Sequence, residues 1–228
     1  MILDDEDILM QAATDSAHYE MVDLGLSVKW ANKNVGASHP EDAGLYFQWG
    51  VTIGYTADQA GKDKVFDKYS YPEHLNIKYN STNGLKVLES EDDAATVYMG
   101  SSYRMPTVDE IRELINNTTQ TFIDIDGNEY VKGVDNINIE QRKLKGVRFT
   151  SSNSNSIFIP AVGYCRNSMS MLYGVNMYGI LWSSSLSDEY YEIAKYLSFS
   201  YVGNLISGSD NRSLGLSIRG VEKITNKL

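Results

Sequence analysis

Gly179-Ile180-Leu181-Trp182-Ser183-Ser184-Ser185 is the stretch on which the reading of the whole chain turns. Ile180, Leu181 and Trp182 form an apolar, β-prone run, and three small hydroxyl residues follow it. This pattern predicts a buried central strand that ends where other segments crowd against it. The loops on either side have an unusual composition, with seven Tyr, ten Ser and four Asn in residues 163–212. Tyr offers large, stiff contact area at low entropic cost, while Ser and Asn offer adaptable hydrogen bonds; antibody-type binding surfaces use this mixture. The expectation is a rigid scaffold around Trp182 that displays these loops for binding rather than catalysis.

Outward from that strand, the chain from Phe122 onward reads as short strands separated by turns. Phe122-Ile123-Asp124 and Glu129-Tyr130-Val131 flank Ile125-Asp126-Gly127-Asn128, and Asp-Gly between β-prone runs predicts a hairpin. Gly146-Val147-Arg148-Phe149-Thr150 and Ser156-Ile157-Phe158-Ile159-Pro160-Ala161 form the next pair. Ala194-Lys195-Tyr196-Leu197-Ser198-Phe199 and Leu214-Gly215-Leu216-Ser217-Ile218-Arg219-Gly220-Val221 follow the Trp182 strand. Two helices precede this β-rich part. Ser90-Glu91-Asp92-Asp93 opens the first as a capping-box pattern and Gly100 closes it; Thr107-Val108-Asp109-Glu110 opens the second, with Ile111, Leu114 and Ile115 as its buried face and Asn116-Asn117 at its end. Nearer the N-terminus, Val22, Leu24, Leu26, Val28 and Trp30 alternate as a half-buried strand pair, and Ala43–Gly50 is aromatic-rich. Residues 51–90 have weak periodicity and predict an inserted loop region with one or two short strands. The expected fold class is α+β, with two helices packed on short, mainly antiparallel strands. One domain spans residues 21–228 with an insertion at about 51–90, and an acidic segment, residues 1–20, precedes it.

The chain has 228 residues, of which 42% are hydrophobic and 11% aromatic, enough for a sizeable core. Its net charge of −10 argues against a nucleic-acid partner, which needs clustered Lys and Arg. Residues 1–20 carry six acidic groups (Asp4, Asp5, Glu6, Asp7, Asp15, Glu20) and no Lys or Arg. With Ile2, Leu3, Ile8, Leu9 and Met10 as apolar positions they read as a short amphipathic helix, either a free tail or a docking segment for a partner. Residues 163–219, by contrast, hold four acids and four bases, so the binding face is close to neutral. The single cysteine, Cys165, excludes an internal disulfide and reads as an unreactive thiol in a Tyr- and Asn-rich loop. No run of about 18 apolar residues exists, so no membrane span is expected. The first residues lack a basic n-region and an apolar h-region, so the sequence as given carries no secretory signal. A protein of exported character is then expected either on a virion or with its signal already removed.

Several segments together resemble the bacterial major paralogous domain (FISUMP-type) family, whose members resemble the C-type lectin fold. The matching pieces are Val22-Asp23-Leu24-Gly25-Leu26-Ser27-Val28-Lys29-Trp30-Ala31, Asn34-Val35-Gly36-Ala37, Tyr46-Phe47-Gln48-Trp49-Gly50, Glu91-Asp92-Asp93-Ala94-Ala95 and Tyr103-Arg104-Met105-Pro106-Thr107. They continue through Ser156-Ile157-Phe158-Ile159-Pro160-Ala161, Leu181-Trp182-Ser183-Ser184 and Ser217-Ile218-Arg219-Gly220-Val221, in the family's order and spacing. Gly220 departs from the pattern, which has Pro there, and residues 51–85 match poorly. The resemblance implies a C-type lectin-like scaffold whose C-terminal strands hold variable loops on one face. It does not imply an enzyme. Proteins of this fold include bacterial surface adhesin-like domains and targets of diversity-generating retroelements, phage host-recognition proteins among them.

Catalytic readings find little support in the residues. His18, His39 and His74 all lie in the first third, away from the loop-rich C-terminal part, and none accompanies a nucleophile elbow. Paired carboxylates are too common to single out a dyad. The formylglycine-generating enzymes, which share the broad fold, use a cysteine pair that this chain lacks. Asp124-Ile125-Asp126-Gly127-Asn128 resembles the start of a calcium loop, but the remaining ligands are not spaced as such a loop requires. The Glu-Pro-Asn and Trp-Asn-Asp motifs of calcium-dependent lectins are absent, so no metal and no other cofactor is expected. Trp30, Trp49 and Trp182 fall in framework segments and are assigned to the core. Arg104 and Arg219 are assigned to buried hydrogen bonds or ion pairs. The ligand-binding candidates are Tyr173, Tyr178, Tyr190, Tyr191 and Tyr201, with Asn167, Asn176, Asn204 and Asn211 beside them; Tyr173, Tyr178, Tyr190 and Tyr201 are expected on one face. Two functional classes follow. One is a non-enzymatic, extracellular recognition module on a bacterial surface or phage virion, binding a glycan or a protein. The other is a structural component that docks through residues 1–20 into virion or fimbrial partner proteins.

Overall fold

The structure, a computed structural model, describes residues 19–62, 66, 71–166 and 172–224. Among these the elements run β1 (Met21–Val22), β2 (Val28–Ala31), β3 (Tyr46–Phe47), α1 (Ala57–Lys62), α2 (Glu73–Lys78), α3 (Ala94–Met99), β4 (Tyr103–Arg104), α4 (Val108–Asn116), β5 (Thr118–Asp124), β6 (Glu129–Val131), β7 (Leu144–Ser151) and β8 (Ser156–Pro160). They continue as β9 (Tyr164–Cys165), β10 (Leu172–Tyr173), β11 (Tyr178–Leu186), β12 (Ile193–Ser200), β13 (Leu205–Asn211), β14 (Leu216–Ser217) and β15 (Val221–Lys223). The class is α+β, with strands predominating. A five-stranded sheet has the order β13-β12-β11-β14-β3, a four-stranded sheet β6-β5-β7-β8, a second four-stranded sheet β1-β2-β15-β4, and β9 pairs with β10 alone. β11 is the centre of the five-stranded sheet, antiparallel to β12 and parallel to β14 at Leu181 and Ser217.

The period-two alternation of β11 separates two cores. Leu181 joins Leu197, Phe199 and Leu205 on one face, against Ile111 and Leu114 of α4 and Phe122, Val147, Phe149 and Ile159 of the four-stranded sheet. Trp182 joins Ala194 and Leu216 on the other, against Phe47, Trp49, Leu75, Tyr79 and the first turn of α3. Trp182 is 0% exposed. Its Nε1 donates to the Phe47 carbonyl at 2.9 Å, while Trp49 Nε1 donates to the Ser183 carbonyl at 2.9 Å. Each indole thus fills the core and ties its neighbour strand's backbone.

The serine run explains itself at this point. Pairing of β11 with β12 shifts between Trp182 and Leu186, which frees backbone groups that other segments then take up. Ser184 N donates to the Pro106 carbonyl and Leu88 N to the Ser184 carbonyl, while Val108 N donates to Ser185 Oγ and Ser183 Oγ to the Lys195 carbonyl. Larger side chains would keep these segments apart. Trp30 and Trp49 are also fully buried, as expected of framework residues. Arg219 donates from inside the core to Asn34 Oδ1 and to the carbonyls of Ala31 and Phe158, and Arg104 makes a fork on the Glu110 carboxylate. At Gly220 a Cβ would lie 2.3 Å from Met99 Sδ, so a larger residue there requires the flexible end of the Met99 side chain to move.

Several expectations are corrected. Ser90–Asp92 is a short 3₁₀ turn, and α3 starts later, capped by Asp93, whose carboxylate accepts from Thr96 N and also from Met105 N. The Thr107–Glu110 capping box of α4 is present in full. Among the described residues of 51–90 there are the helices α1 and α2 rather than strands, and β-bridging there is limited to isolated bridges at Tyr55 and Val87. Six-residue helices are too short to display a period in sequence, so the described residues hold four α-helices where two were expected. The insertion is anchored: Tyr71 Oη donates to the Trp49 carbonyl at 2.6 Å and Tyr79 Oη to Asp92 Oδ2 at 2.6 Å. Cys165 lies in β9, not a loop; burial pushes its thiol up to about 11, which makes it inert at neutral pH. Asp124 closes the expected hairpin by accepting from Asp126 N, Asn128 N and Asn128 Nδ2, with Gly127 at φ +86. No helix among the described residues is long and apolar enough to cross a membrane. The amphipathic helix expected in the first residues lies outside the described ones.

Trp182→Ala should cost about 3–5 kcal/mol of unfolding free energy, measured by denaturant titration, because it removes a buried large aromatic. A second expectation concerns high pH. Burial holds the Tyr46, Tyr71 and Tyr79 phenols protonated well above the ordinary 10.0, with Asp92 adding to the effect at Tyr79. A pKa raised in the folded state means stability is complete below pH 10 and is lost as pH rises further, because the unfolded chain ionises first. Tm should therefore fall steeply above pH 10, with phenolate absorbance appearing together with unfolding.

Candidate functional site

The β11–β12 hairpin divides the Tyr-rich segments between its two ends. At the end away from its turn, Tyr178 opens β11 opposite Ser200. The β9–β10 pair folds over this end. Tyr164 and Tyr173 are register partners there, and their rings meet edge to face at 5.5 Å. Gly174 makes the fold-over possible: it has φ +73, and a Cβ would lie 2.4 Å from Tyr178 Cδ2. Ile180, Tyr196 and Ser198 share the face of β11 and β12 beneath. Tyr196 leans on Trp182 with ring centroids 6.1 Å apart, and it lies over Gly208 of β13.

These segments enclose a concavity of about 470 Å³, walled by Tyr164, Tyr173 and Tyr178, floored by Ile180 and Tyr196, and rimmed by Arg166 and Asp210. Burial pushes the phenols of Tyr164, Tyr178 and Tyr196 above their ordinary value; Asp210 adds to this at Tyr164 and Tyr196, while Arg166 opposes it at Tyr164. At neutral pH all three are neutral hydroxyls that both donate and accept. The chemistry on offer is ring faces, hydroxyls and one charge of each sign, which suits a flat or ring-shaped polar ligand. A larger concavity of about 490 Å³ lies beside α3, but most of its charged groups are already engaged: Asp93 with backbone amides, Arg104 with Glu110 and Glu222 with Lys29, which leaves Lys223. No group of three His, Cys, Asp or Glu side chains among the described residues is placed to hold a metal ion.

The expected site residues fall into distinct places. Tyr173 and Tyr178 line the concavity, and Tyr201 packs edge to face on Tyr178 at 6.2 Å without lining it. Asn176, at φ +59, holds the turn before β11: its N donates to the Ala161 carbonyl and its carbonyl accepts from Leu144 N. Asn204 is exposed in the β12–β13 turn, where its carbonyl accepts from Ser200 N. Tyr190 and Tyr191 are exposed at the opposite end of the hairpin, and Asn211 ends β13 there. Asn167 lies outside the described residues. The expectation that Tyr173, Tyr178, Tyr190 and Tyr201 share one face is thus corrected: β11, on the order of 25 Å long, separates Tyr190 from the other three. Tyr164, Tyr196, Arg166 and Asp210 were missed by the sequence reading, which sought ligand groups in loops. The available signal was antiparallel phase, since Tyr196 and Ser198 fall opposite Trp182 and Ile180.

Gly208→Ala tests how the floor is built. The added methyl carbon would sit 2.5 Å from Tyr196 Cε2, so the ring must tip into the concavity. A loss of about 1–3 kcal/mol in stability, with shifted Tyr196 ring resonances in NMR spectra, is the expected result. Comparison of the chain with protein-family models, with curated proteins and with solved structures yields no significant match.

Proposed function

We propose that this protein is a non-enzymatic recognition module of C-type lectin-like fold, carried on a bacterial surface or a phage virion, that binds a glycan or a protein through the tyrosine-lined concavity. The observation that carries this reading is the convergence of Tyr164, Tyr173, Tyr178 and Tyr196, from four successive strands, on one concavity supported by a buried Trp. Stiff aromatic side chains on a rigid base are the usual anchors of a recognition surface, because little entropy is lost when they are covered. The sequence resemblance to the major paralogous domain family supports the fold and the placement, since it points to C-terminal strands as the display face. Near-neutral charge around the site favours a ligand held by stacking and hydrogen bonds.

The test uses purified protein on an array of bacterial surface glycans and, in parallel, on intact bacterial cells. Tyr173 is 45% exposed, so Tyr173→Ala should leave Tm nearly unchanged. It should nevertheless weaken any captured interaction by about 2 kcal/mol. Binding should also depend only weakly on salt, because few charges would be screened. Binding that survives Tyr173→Ala and Tyr178→Ala together would exclude the concavity and turn attention to residues 1–20 as a docking segment.

A further inference from the structure

At the other end of the hairpin, a concavity of about 380 Å³ is lined by Tyr71, Asn76, Tyr191, Asn211, Arg212 and Ser213, with Glu192 at its edge. Arg212 is only 2% exposed and lies against the faces of Trp49 and Tyr71, its guanidinium carbon 5.7 and 5.2 Å from the ring centroids. Its hydrogen-bond acceptors are all uncharged: the carbonyls of Leu75 and Tyr79 and Oδ1 of Asn76. Its Nε donates to no described residue, and no described carboxylate forms an ion pair with it. The other buried or half-buried cations differ. Arg104 is paired with Glu110 and Lys78 with Glu89, Glu91 and Asp92, while Arg219 and Lys33, the latter held by the Ser38 carbonyl and the Tyr19 ring, line none of the concavities described above. Burial outweighs the one carboxylate that acts on the Arg212 guanidinium, the exposed Glu192; a charge so placed is costly, and an anion from outside relieves that cost.

The rest of the lining is biased in the same direction. Asn76 turns its carbonyl oxygen to Arg212, and Asn211 turns its own to the N and Oγ of Ser213. Both side-chain oxygens are thereby committed, and neither Nδ2 donates to a described residue. The Tyr71 hydroxyl is spent on the Trp49 carbonyl, and Tyr191 adds an exposed ring. The concavity therefore presents two amide donors and a buried guanidinium, with one carboxylate, the exposed Glu192, at its mouth.

We propose that this concavity is a second binding site, distinct from the tyrosine-lined one, that takes the carboxylate of an acidic ligand against Arg212 between the amides of Asn76 and Asn211. A planar carboxylate fits a guanidinium with hydrogens to spare, and Tyr71 and Tyr191 supply ring faces for whatever carries it.

Sodium acetate and sodium benzoate, with acetamide as the uncharged control, are titrated into the whole protein at constant ionic strength. The Arg212 Nε–H resonance and Tm are followed. Both carboxylates should shift that resonance saturably and raise Tm, and acetamide should do neither. Arg212→Met endangers the fold, so the decisive variant is Asn76→Asp, which keeps the oxygen Arg212 uses and supplies a counter-ion from the chain. It should raise Tm without added anion and weaken carboxylate binding at least about tenfold. Glu192→Gln removes the one competing charge and should tighten binding. An adventitious ion only, seen as equal responses to acetate, chloride and sulfate that Asn76→Asp leaves unchanged, would overturn the proposal. Absence of any response in the unsubstituted protein, or weaker binding in Glu192→Gln, would do the same.

Discussion

Two indole N–H groups hold this structure together. Trp182 on β11 donates to the backbone of β3, and Trp49, just beyond β3, donates back to the backbone of β11. β14 lies between these strands, so the reciprocal bonds reach across it and fix the edge of the sheet against its centre. An indole buried without a partner would leave its donor unsatisfied, so each Trp is held to one orientation and one depth. The surrounding residues conform to that geometry. The serines after Trp182 stay small because Leu88, Pro106 and the Trp49 indole all meet their backbone, and the insertion reaches the same place through Tyr71. Both candidate sites are built outward from these two rings. Tyr196 leans on Trp182, and Arg212 lies on Trp49.

What the sequence disclosed and what it hid follow from the range of the interactions concerned. The Trp182 strand, the Asp126-Gly127 hairpin and the Thr107 cap were legible because each is fixed by neighbours within a few residues: an apolar run, a turn dipeptide, a hydroxyl three residues before a carboxylate. The start of α3 was misplaced because Ser90 and Asp93 both resemble caps, and the choice is made by Met105 N, which only Asp93 reaches. The helices of the insertion were hidden because their burial depends on isolated anchors, Ala60 in α1 and Leu75 with Tyr79 in and after α2, rather than on a repeated face. For the candidate site, enrichment in Tyr pointed to the third of the chain that lines the tyrosine-walled concavity. It could not separate the two ends of a hairpin, because nearness along the chain at Tyr190 and Tyr191 says nothing about which end of β11 they reach. Tyr196 and Arg212 look like framework in sequence, and they are; each is also the surface that a concavity exposes.

The two concavities at the ends of the β11–β12 hairpin differ in chemistry. One offers hydroxyls and ring faces with balanced charge; the other offers a buried cation and committed amides. Asp210 and Arg212 lie only two residues apart, yet they line different concavities, because β13 ends at Asn211 and the chain turns there, so Arg212 no longer follows the alternation of the strand.

The bonds that join Trp49 to Ser183 and Trp182 to Phe47 span 134 and 135 residues of chain. Closing loops of that length costs entropy before any burial is gained, so the two cores cannot condense until nearly the whole sequence is present. A growing chain would therefore leave the ribosome with Trp30, Phe47 and Trp49 uncovered, waiting for β11 and β14 to be made. Such a topology folds slowly, and until β11 and β14 have emerged its exposed aromatic segments invite capture by chaperones or by each other.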